Sequence, residues 1–560
     1  MRRSVGHLDG VGGGSCDVQR SGFQSLVTWI ALSGLLGCVG ASVGADVPPL
    51  SIDDIAPEGI RGAMLLCGRD CTPAAIREVI SHQDESRPLT ILEVGSGEPL
   101  LGSDETDSFG PLQHCDQWGT VETVSLPEKR PRTIWIHGAA LPTELAVRAK
   151  LDRWLDRICD DETWLVVSGD VIPEMCAWVA TSGPNAGPVQ LSRGLGRLPG
   201  VIWRPANSMR NANRAAPLNA PGWLQLTLHP QEMLLVRGRQ MIAPAAEQGR
   251  TVFRIYAAEQ TSLDTIAIDA DQPTDFTQLR RIAVSRNSPP FPPAERRTPR
   301  VEQGSLVIVG GGRIPDEILD RFVELSGGPA SQIVVIPTAS DGEHPERHQD
   351  VERLRAAGAG QVTTLHTRDR SLANSAEFLA PLTQASGVWF TGGRQWRLVD
   401  AYEETPLVAA CHAVLERGGA IGGSSAGATI QGDYLVRGHP LGNTVMMAAG
   451  YERGFAFLPG TAIDQHFTQR KREADLEAVK RRHPQLVCLG IDEGTALVVQ
   501  GTSGEVLGAG SVTLYDGEPD ADDPQAVLSR SVLQPGERYD FDAQTAHGRG
   551  DAPPPDPAQE

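Results

Sequence analysis

The sequence is short of positive charge and of clustered metal ligands. Its 50 Lys and Arg residues face 70 Asp and Glu residues, which gives a formal net charge of −20. A protein that binds nucleic acid by neutralising phosphates needs the opposite balance, so that class of function is excluded. Cys67 and Cys71 have no further Cys or His cluster beside them, and we predict no zinc site. The triplet Gly310-Gly311-Gly312 lacks the G-x-G-x-x-G spacing of a dinucleotide site.

Charge is also absent from one long apolar stretch near the N-terminus. Arginines at positions 2, 3 and 20 precede an uncharged run from Phe23 to Ala45, which ends in the small residues Val43-Gly44-Ala45. This order is typical of a secretory signal with its cleavage site, and it predicts an exported protein with a signal segment over residues 1–45. Two alternatives stay open: a membrane-anchoring helix and lipidation at Cys38. All three place the protein outside the cytoplasm: secreted, periplasmic or tethered to a membrane.

Cysteine is sparse, with nine residues in the chain and seven of them after Ala45. An odd number leaves at least one thiol unpaired. Five of the seven fall in the N-terminal half, where an oxidising compartment would allow one or two disulfides. These five are Cys67, Cys71, Cys115, Cys159 and Cys176.

The 560 residues suffice for two or more domains. Five prolines interrupt residues 285–300, which we therefore interpret as a linker. Between residues 301 and 544, short apolar strands alternate with helical patterns, which predicts an α/β domain with a parallel sheet covered by helices on both faces. Residues 545–560 are rich in Pro, Gly and Asp, and we expect a disordered tail.

The strongest chemical signal is the segment Gly423-Ser424-Ser425-Ala426-Gly427. It has the G-x-S-x-G pattern and follows an apolar strand, as a serine nucleophile on a sharp strand-to-helix turn requires. Ser424 competes for the role, but Ser425 is the central serine of the pattern. The amide of Ala426, and one near Gly393, would then stabilise the oxyanion of the reaction.

A serine nucleophile needs a base and a group that orients the base. His466 follows the apolar stretch that ends in Leu458-Pro459-Gly460, and Glu493 closes the apolar run from Leu486 to Ile491. Asp492 precedes Glu493, and strand alternation would send its side chain to the opposite face. We predict the triad Ser425, His466 and Glu493.

Five ordered motifs carry a family resemblance. They are VIVGGG from residue 307, FTGGRQ from residue 390, GGSSAGA from residue 422, DQHF from residue 464 and GIDEGTA from residue 490. Together they resemble the family of cyanophycinase and dipeptidase E over about residues 301–543. The resemblance implies a flavodoxin-like sheet akin to class I glutamine amidotransferases, with Ser in place of Cys. It implies the same triad, no metal or organic cofactor, and hydrolysis of a poly-aspartate polymer bearing arginine to β-Asp-Arg dipeptides.

The resemblance also implies a substrate pocket. Gln395, Asp464 and Gln465 match pocket residues of the family, and Arg470 and Arg472 would hold substrate carboxylates. The family pattern has a third arginine where this chain has Asp475, and an anion there would repel a substrate carboxylate. This departure puts the polymer specificity in question more than the hydrolysis itself.

Residues 57–284 have the features of a degenerate copy of the same domain. Trp135-Ile136-His137-Gly138 matches the segment from Trp389, and Leu198-Pro199-Gly200 matches the segment from Leu458, in the same order along the chain. Equal spacing places Val171 at the position of Ser425 and Ala206 at that of His466. The copy should therefore be inactive, and the arrangement leaves a dimer or an internal pseudo-dimer open.

The sequence predicts a serine peptidase that acts on a peptide or an Asp/Arg polymer. Three alternatives remain: an aspartyl dipeptidase of the same superfamily, a serine esterase, and a binding protein in which both copies have lost activity.

Overall fold

A computed structural model describes residues 47–80, 89–94, 112–118, 133–138, 145–182, 189–205, 220–244, 252–256, 263–342, 344–520, 522–523 and 526–548. The predicted signal segment with Cys38 lies outside these residues, and so does Ala206. In the described part of the chain, no helix has the length and apolar character needed to cross a membrane.

The C-terminal half is built on a mixed sheet whose central strands are parallel. Its strands, in chain order, are β15 (Val301–Val309), β16 (Gln332–Ile336), β17 (Gln361–Thr364), β18 (Gly387–Phe390), β19 (Ala420–Ser424), β23 (Thr495–Gly501), β24 (Ser503–Gly508), β27 (Arg538–Asp540) and β28 (Thr545–His547). Their spatial order is β17-β16-β18-β19-β15-β23-β24-β27-β28. Strands β15 to β19 pair in parallel, and β23 joins β15 antiparallel.

Both faces of this sheet are buried. Along β15, Leu306 and Ile308 belong to one hydrophobic core, whereas Val307 and Val309 belong to the core on the opposite face. Successive side chains of a strand point to opposite faces, so a continuous apolar run is what a sheet covered on both sides needs. The prediction of an α/β domain with a doubly covered, flavodoxin-like sheet is therefore confirmed.

Helices and a second sheet complete this half. The helices are α4 (Asp316–Leu325), α5 (Gln349–Ala356), α6 (Arg370–Ala373), α7 (Ala376–Gln384), α8 (Gln395–Tyr402), α9 (Pro406–Glu416), α10 (Ala426–Thr429) and α11 (Glu473–Arg482). The second sheet has the order β20-β21-β22-β25-β26. Its strands are β20 (Gly432–Tyr434), β21 (Leu458–Gln465), β22 (Val487–Ile491), β25 (Val512–Tyr515) and β26 (Ser531–Leu533). Strands β21 and β22 run parallel, so their carboxyl ends lie side by side.

The N-terminal half also has two sheets. The larger contains β1 (Ala63–Cys67), β2 (Leu89–Val94), β3 (Leu112–Trp118), β4 (Thr133–Gly138), β5 (Trp164–Gly169), β10 (Met233–Arg237), β11 (Gln240–Ile242) and β14 (Thr274–Asp275). The smaller contains β6 (Cys176–Ser182), β7 (Val189–Arg193), β8 (Leu198–Trp203), β9 (Leu224–Thr227), β12 (Val252–Tyr256) and β13 (Leu263–Ala267). The described helices here are α1 (Pro73–Ile80), α2 (Leu145–Ile158) and α3 (Phe276–Ser285).

The two large sheets share one strand order. Read from one edge, β3-β2-β4-β5-β1-β10-β11 in the first half corresponds to β17-β16-β18-β19-β15-β23-β24 in the second. The small sheets agree as well, since β6-β8-β9-β12-β13 corresponds to β20-β21-β22-β25-β26. Parallel and antiparallel pairings match at each of these steps.

Strand register corrects one residue assignment. Matching Ala63 with Ser305 on the first strands brings Ser168 to the position of Ser424, and the next residue, Gly169, to that of Ser425. The sequence spacing had placed Val171 there. The assignment of Val171 was wrong because the connection from β4 to β5 is two residues shorter than the connection from β18 to β19. The same matching places Pro230 at the position of Glu493.

The chain between the halves has no helix or strand from residue 286 to residue 300, and it lies against the C-terminal half. The ring of Phe291 stacks on that of Tyr434, with 6.2 Å between the ring centroids. The guanidinium of Arg453 lies over the same Phe291 ring, 4.2 Å from its centroid. Aromatic and cation–π contacts of this kind fix the path of the segment.

Two expectations about order and cross-links are corrected. The predicted tail begins with an ordered piece, since β28 pairs with β27 and its backbone groups are satisfied there. Among the cysteines whose side chains the structure describes, none is in a disulfide, including the four from the N-terminal half: Cys67, Cys71, Cys159 and Cys176. Burial raises the pKa of the Cys71 thiol to about 11, which keeps it protonated.

Candidate active site

Ser425 lies on the turn between β19 and α10. Its backbone dihedral angles are φ 56° and ψ −110°, outside the regions that ordinary residues prefer. The turn is tight, because a Cβ on Gly427 would lie 2.1 Å from the carbonyl oxygen of Phe390. A strained, glycine-flanked turn of this kind holds a serine hydroxyl above the end of a sheet.

Ser425, His466 and Glu493 form a continuous chain of hydrogen bonds. The Oγ of Ser425 lies 2.9 Å from Nε2 of His466, and Nδ1 of His466 lies 2.5 Å from Oε1 of Glu493. His466 directly follows β21, and Glu493 lies two residues beyond the neighbouring parallel strand β22. The parallel pairing therefore brings the base and the carboxylate to the same edge, next to Ser425. Ser424 is buried at the end of β19, and Ser425 is the serine that meets the imidazole.

The glycine triplet after β15 makes room for the base and the acid. A Cβ on Gly311 would lie 2.4 Å from Cε1 of His466, and one on Gly312 would lie 2.7 Å from Oε2 of Glu493. The carbonyl of Gly310 also accepts a hydrogen bond from the amide of His466 at 2.8 Å. Sequence reasoning used this triplet to exclude a dinucleotide site and as part of one family motif, and it missed the contact of the triplet with the triad.

Asp492 has a structural task and does not orient the imidazole. Its Oδ1 accepts hydrogen bonds from the amide and hydroxyl of Thr468, and its Oδ2 accepts from the amide and hydroxyl of Ser511. Burial alone would raise the pKa of Asp492, but these four hydrogen bonds outweigh it and lower the pKa below its ordinary value. The carboxylate ties the segment that follows His466 to the segment at Ser511.

The surroundings of His466 favour its neutral form. Burial lowers the pKa of the imidazole, the hydrogen bond to Glu493 raises it, and the charge of Arg470 lowers it again. The net effect is a pKa below the ordinary value of 6.5. A neutral imidazole can accept the proton of Ser425, as a general base must.

Two backbone amides stand near the nucleophile. The amide of Ala426 opens helix α10 directly after Ser425, and Gly393 follows β18, the strand beside β19. A Cβ on the preceding Gly392 would lie 3.6 Å from Cβ of Ser425, so this turn borders the serine. Within the described residues, neither the Ala426 amide nor the Gly393 amide has an acceptor. Both are free to bind an oxyanion.

Three of the five predicted substrate residues are instead engaged inside the protein. Asp464 is fully buried, and Arg472 is 4% exposed and donates to Asp464 Oδ1 at 2.9 Å. The Gln395 amide donates to the carbonyls of Val436 and Arg437. Each of these three side chains therefore has a partner within the protein, as buried polar groups require.

Arg470 and Gln465 remain available to a substrate. Arg470 is exposed on the segment after His466. Gln465 is buried, and its side-chain oxygen has no hydrogen-bond partner in the described part of the chain. A buried acceptor without a partner carries a desolvation cost in free energy, and a hydrogen-bond donor from a bound substrate would remove that cost.

Arg437 is the site residue that sequence reasoning missed. Its guanidinium is 3% exposed and donates to both oxygens of Asp464 at 3.0 to 3.2 Å. It also donates to Asp475 at 2.8 Å, so the anion that departs from the family pattern is paired within the protein. An isolated arginine in a polar loop carries no motif, and only the tertiary contact reveals its partners.

Comparisons with known proteins bear on the family to which the chain belongs. The sequence model of Peptidase family S51 matches residues 306–507. The cyanophycinase of Geminocystis herdmanii is 31% identical over 254 residues, which cover 42% of this chain and 93% of that protein. The cyanophycinase of Trichormus variabilis is 32% identical, over 44% of this chain and 88% of that protein.

Among solved structures, a peptidase from an acI-B1 Actinobacterium aligns with 23% identity and a TM-score of 0.35, over 44% of this chain and 99% of that one. The identity and coverage of the curated relatives carry the assignment: the chain belongs to peptidase family S51, and it is a cyanophycinase-like serine peptidase.

Proposed function

We propose that the C-terminal half hydrolyses aspartyl peptide bonds of a cyanophycin-type polymer by a Ser-His-Glu mechanism. The observation that carries the mechanism is the chain of hydrogen bonds from Ser425 through His466 to Glu493 on a strained turn. The substrate class rests on the similarity to two cyanophycinases.

In this mechanism the Oγ of Ser425 attacks the scissile carbonyl carbon, and its proton moves to Nε2 of His466. The amides of Gly393 and Ala426 stabilise the negative oxygen of the tetrahedral intermediate. The carbon–nitrogen bond then breaks, and His466 returns the proton to the leaving amine. Water hydrolyses the Ser425 ester with His466 as base again, while Glu493 holds the imidazole in position.

Close to His466 in the chain, Arg470 is an exposed cation and Gln465 carries a side-chain oxygen without a partner among the described residues. Arg470 would bind a carboxylate, and the Gln465 oxygen would accept a hydrogen bond from an amide or guanidinium of the substrate. Both signs of charge are present in an Asp/Arg polymer, so the pair suits such a chain.

The test is incubation of the purified protein with soluble cyanophycin and mass spectrometry of the products. The proposal predicts β-Asp-Arg dipeptides from the wild type and none from Ser425→Ala. Intact polymer with the wild type, together with turnover of short aspartyl peptides, would favour a dipeptidase instead. The ion pair between Arg472 and Asp464 favours the dipeptidase. It leaves Arg470 as the exposed one of the two arginines that were predicted to hold substrate carboxylates.

We further propose that the N-terminal half is an inactive copy. The shared strand order supports it, and so do the residues at the triad positions, where Gly169 and Pro230 offer no nucleophile and no carboxylate. The two glycines that border the triad in the C-terminal half correspond to Arg69 and Asp70, which would fill the same space. Complete loss of hydrolysis in Ser425→Ala is the outcome that this assignment requires.

The N-terminal half also supports the active half through buried ion pairs. Arg239 donates to Asp400 of α8 at 2.5 Å, and Arg281 of α3 pairs with Glu403 just after α8. Arg281 additionally donates to the carbonyl of Gly450 at 2.6 Å. Because α8 begins with Gln395, which holds the loop at Arg437, we propose that this contact positions the wall of the active site as an internal pseudo-dimer would.

A further inference from the structure

A cavity of about 170 Å³ lies on the seam between the two halves. The N-terminal half contributes Pro57, Glu58 and Arg239, and the C-terminal half contributes Arg368, Trp396, Arg397, Asp400 and Ala401. No residue of the proposed triad lines it. The cavity is therefore a feature of the two-half chain and stands apart from the hydrolytic site.

Three arginines converge on this cavity with different degrees of pairing. Arg239 is committed to Asp400 and Asp275 by ion pairs. In the described part of the chain Arg368 makes no ion pair and donates to the carbonyl of Ser340. Among the described residues, the one carboxylate within 4.0 Å of the Arg397 guanidinium is that of Asp341, and Arg397 also donates to the Ala339 carbonyl at 3.2 Å.

The indole of Trp396 fixes two of these guanidinium groups. The guanidinium carbon of Arg239 lies 4.4 Å from the ring centroid, and that of Arg397 lies 5.1 Å from it. Cation–π contacts at these distances hold the planar groups in place. Burial lowers the pKa of Arg397, and the neighbouring charge of Arg368 lowers it further, so an added anion would relieve both cations.

We propose that the cavity binds an acidic amino acid, either free or as a terminal unit of a peptide. One carboxylate bridges Arg368 and Arg397, whose remaining N–H donors suit a planar anion. The short aliphatic stem packs on Trp396 and Pro57. The exposed carboxylate of Glu58 at the rim meets the amino group.

One shared carbonyl links the site to the turn beside the reaction centre. The Ala339 carbonyl that accepts from Arg397 also accepts from the amide of Arg394 at 2.8 Å. Arg394 directly follows Gly393, a predicted oxyanion donor. A ligand on Arg397 would thus rest behind the turn that faces Ser425.

Calorimetric titration of L-aspartate into the full chain carrying Ser425→Ala tests the site without any hydrolysis. We expect saturable binding that Arg368→Gln and Arg397→Gln each weaken about tenfold or more, the loss of a charged hydrogen bond. Arg355→Gln, an exposed arginine paired with Glu352 elsewhere on the surface, is the matched control and should bind like the parent. Glu58→Gln should weaken aspartate but not succinate, which lacks the amino group.

Two results overturn the proposal. The first is the absence of saturable binding. The second is binding that survives Arg368→Gln and Arg397→Gln but is lost in Arg470→Gln, because that pattern would place the ligand in the hydrolytic site. Inhibition of the wild type separates the sources. Competitive inhibition by aspartate that Arg397→Gln abolishes identifies the natural occupant as a unit of the substrate chain, whereas binding to the cavity without competition identifies a free ligand.

Discussion

Arg437 binds both carboxylate oxygens of Asp464, and both groups are almost completely buried. Asp464 stands two residues before His466 at the end of β21 and also accepts a hydrogen bond from Arg472. The pair therefore ties the loop after β20 to the strand that delivers the catalytic base.

Removal of this arginine should destabilise the protein. Arg437→Met leaves Asp464 buried with a reduced set of partners, and breaking a buried ion pair costs about 3 kcal/mol or more. Urea denaturation should show that loss in the free energy of unfolding. Arg355→Met, which breaks an exposed pair with Glu352, should cost less than about 1 kcal/mol. Equal costs for the two variants would refute the structural role of Arg437.

Loss of the charge on Glu493 should lower turnover with the fold intact. Glu493→Gln retains the size of the side chain but no longer stabilises the imidazolium, and kcat should fall by about 10³- to 10⁴-fold. Glu324→Gln, an exposed carboxylate on α4, is the control and should keep wild-type kcat. A fall of less than tenfold in Glu493→Gln would exclude Glu493 from the triad.

The pH dependence of hydrolysis should report the pKa of His466. Activity requires the neutral imidazole, so kcat/KM should rise with pH through a midpoint below 6.5 and level off near neutral pH. Arg470 lowers this pKa, and Arg470→Gln should therefore move the midpoint to higher pH. The midpoint of the acid limb is the quantity that tests this prediction, and a change in the height of the plateau does not affect it. An unmoved or downward-shifted midpoint would contradict the account.

A methyl group at Gly311 should displace the base. Gly311→Ala puts a Cβ 2.4 Å from the His466 ring, and Gly358→Ala puts one into open space at a similar positive φ. Both variants carry the backbone cost of about 1 kcal/mol, which thermal denaturation measures. Only Gly311→Ala should lose most of its kcat. Comparable activity in the two variants would show that the glycine does not border a working imidazole.

The proposed triad could be predicted because each member follows an apolar strand and falls in a recognisable motif. Ser425 lies after β19, His466 after β21 and Glu493 after β22, and parallel strands bring their carboxyl ends together. Strand alternation separates the side chains of Asp492 and Glu493, and in the structure Asp492 bonds to Thr468 and Ser511 whereas Glu493 bonds to His466.

The remaining features depend on tertiary contacts that spacing does not encode. The resemblance to the family places Asp464 in a substrate pocket, but it does not reveal the ion pair with Arg437, which lies 27 residues away in a loop without a motif. Counting from the segment at Trp135 leads to Val171, whereas the shorter β4–β5 connection puts Gly169 at the position that corresponds to Ser425. The seam cavity is lined by residues from both halves, so no single segment of the sequence predicts it.

Labelling by a fluorophosphonate, followed by peptide mass spectrometry, tests the central claim most directly. The account predicts one label per chain on Ser425 and none on the Ser425→Ala protein, since His466 and Glu493 activate that hydroxyl alone. An unlabelled wild type, or a label on Ser424 or Ser168 in place of Ser425, would contradict it.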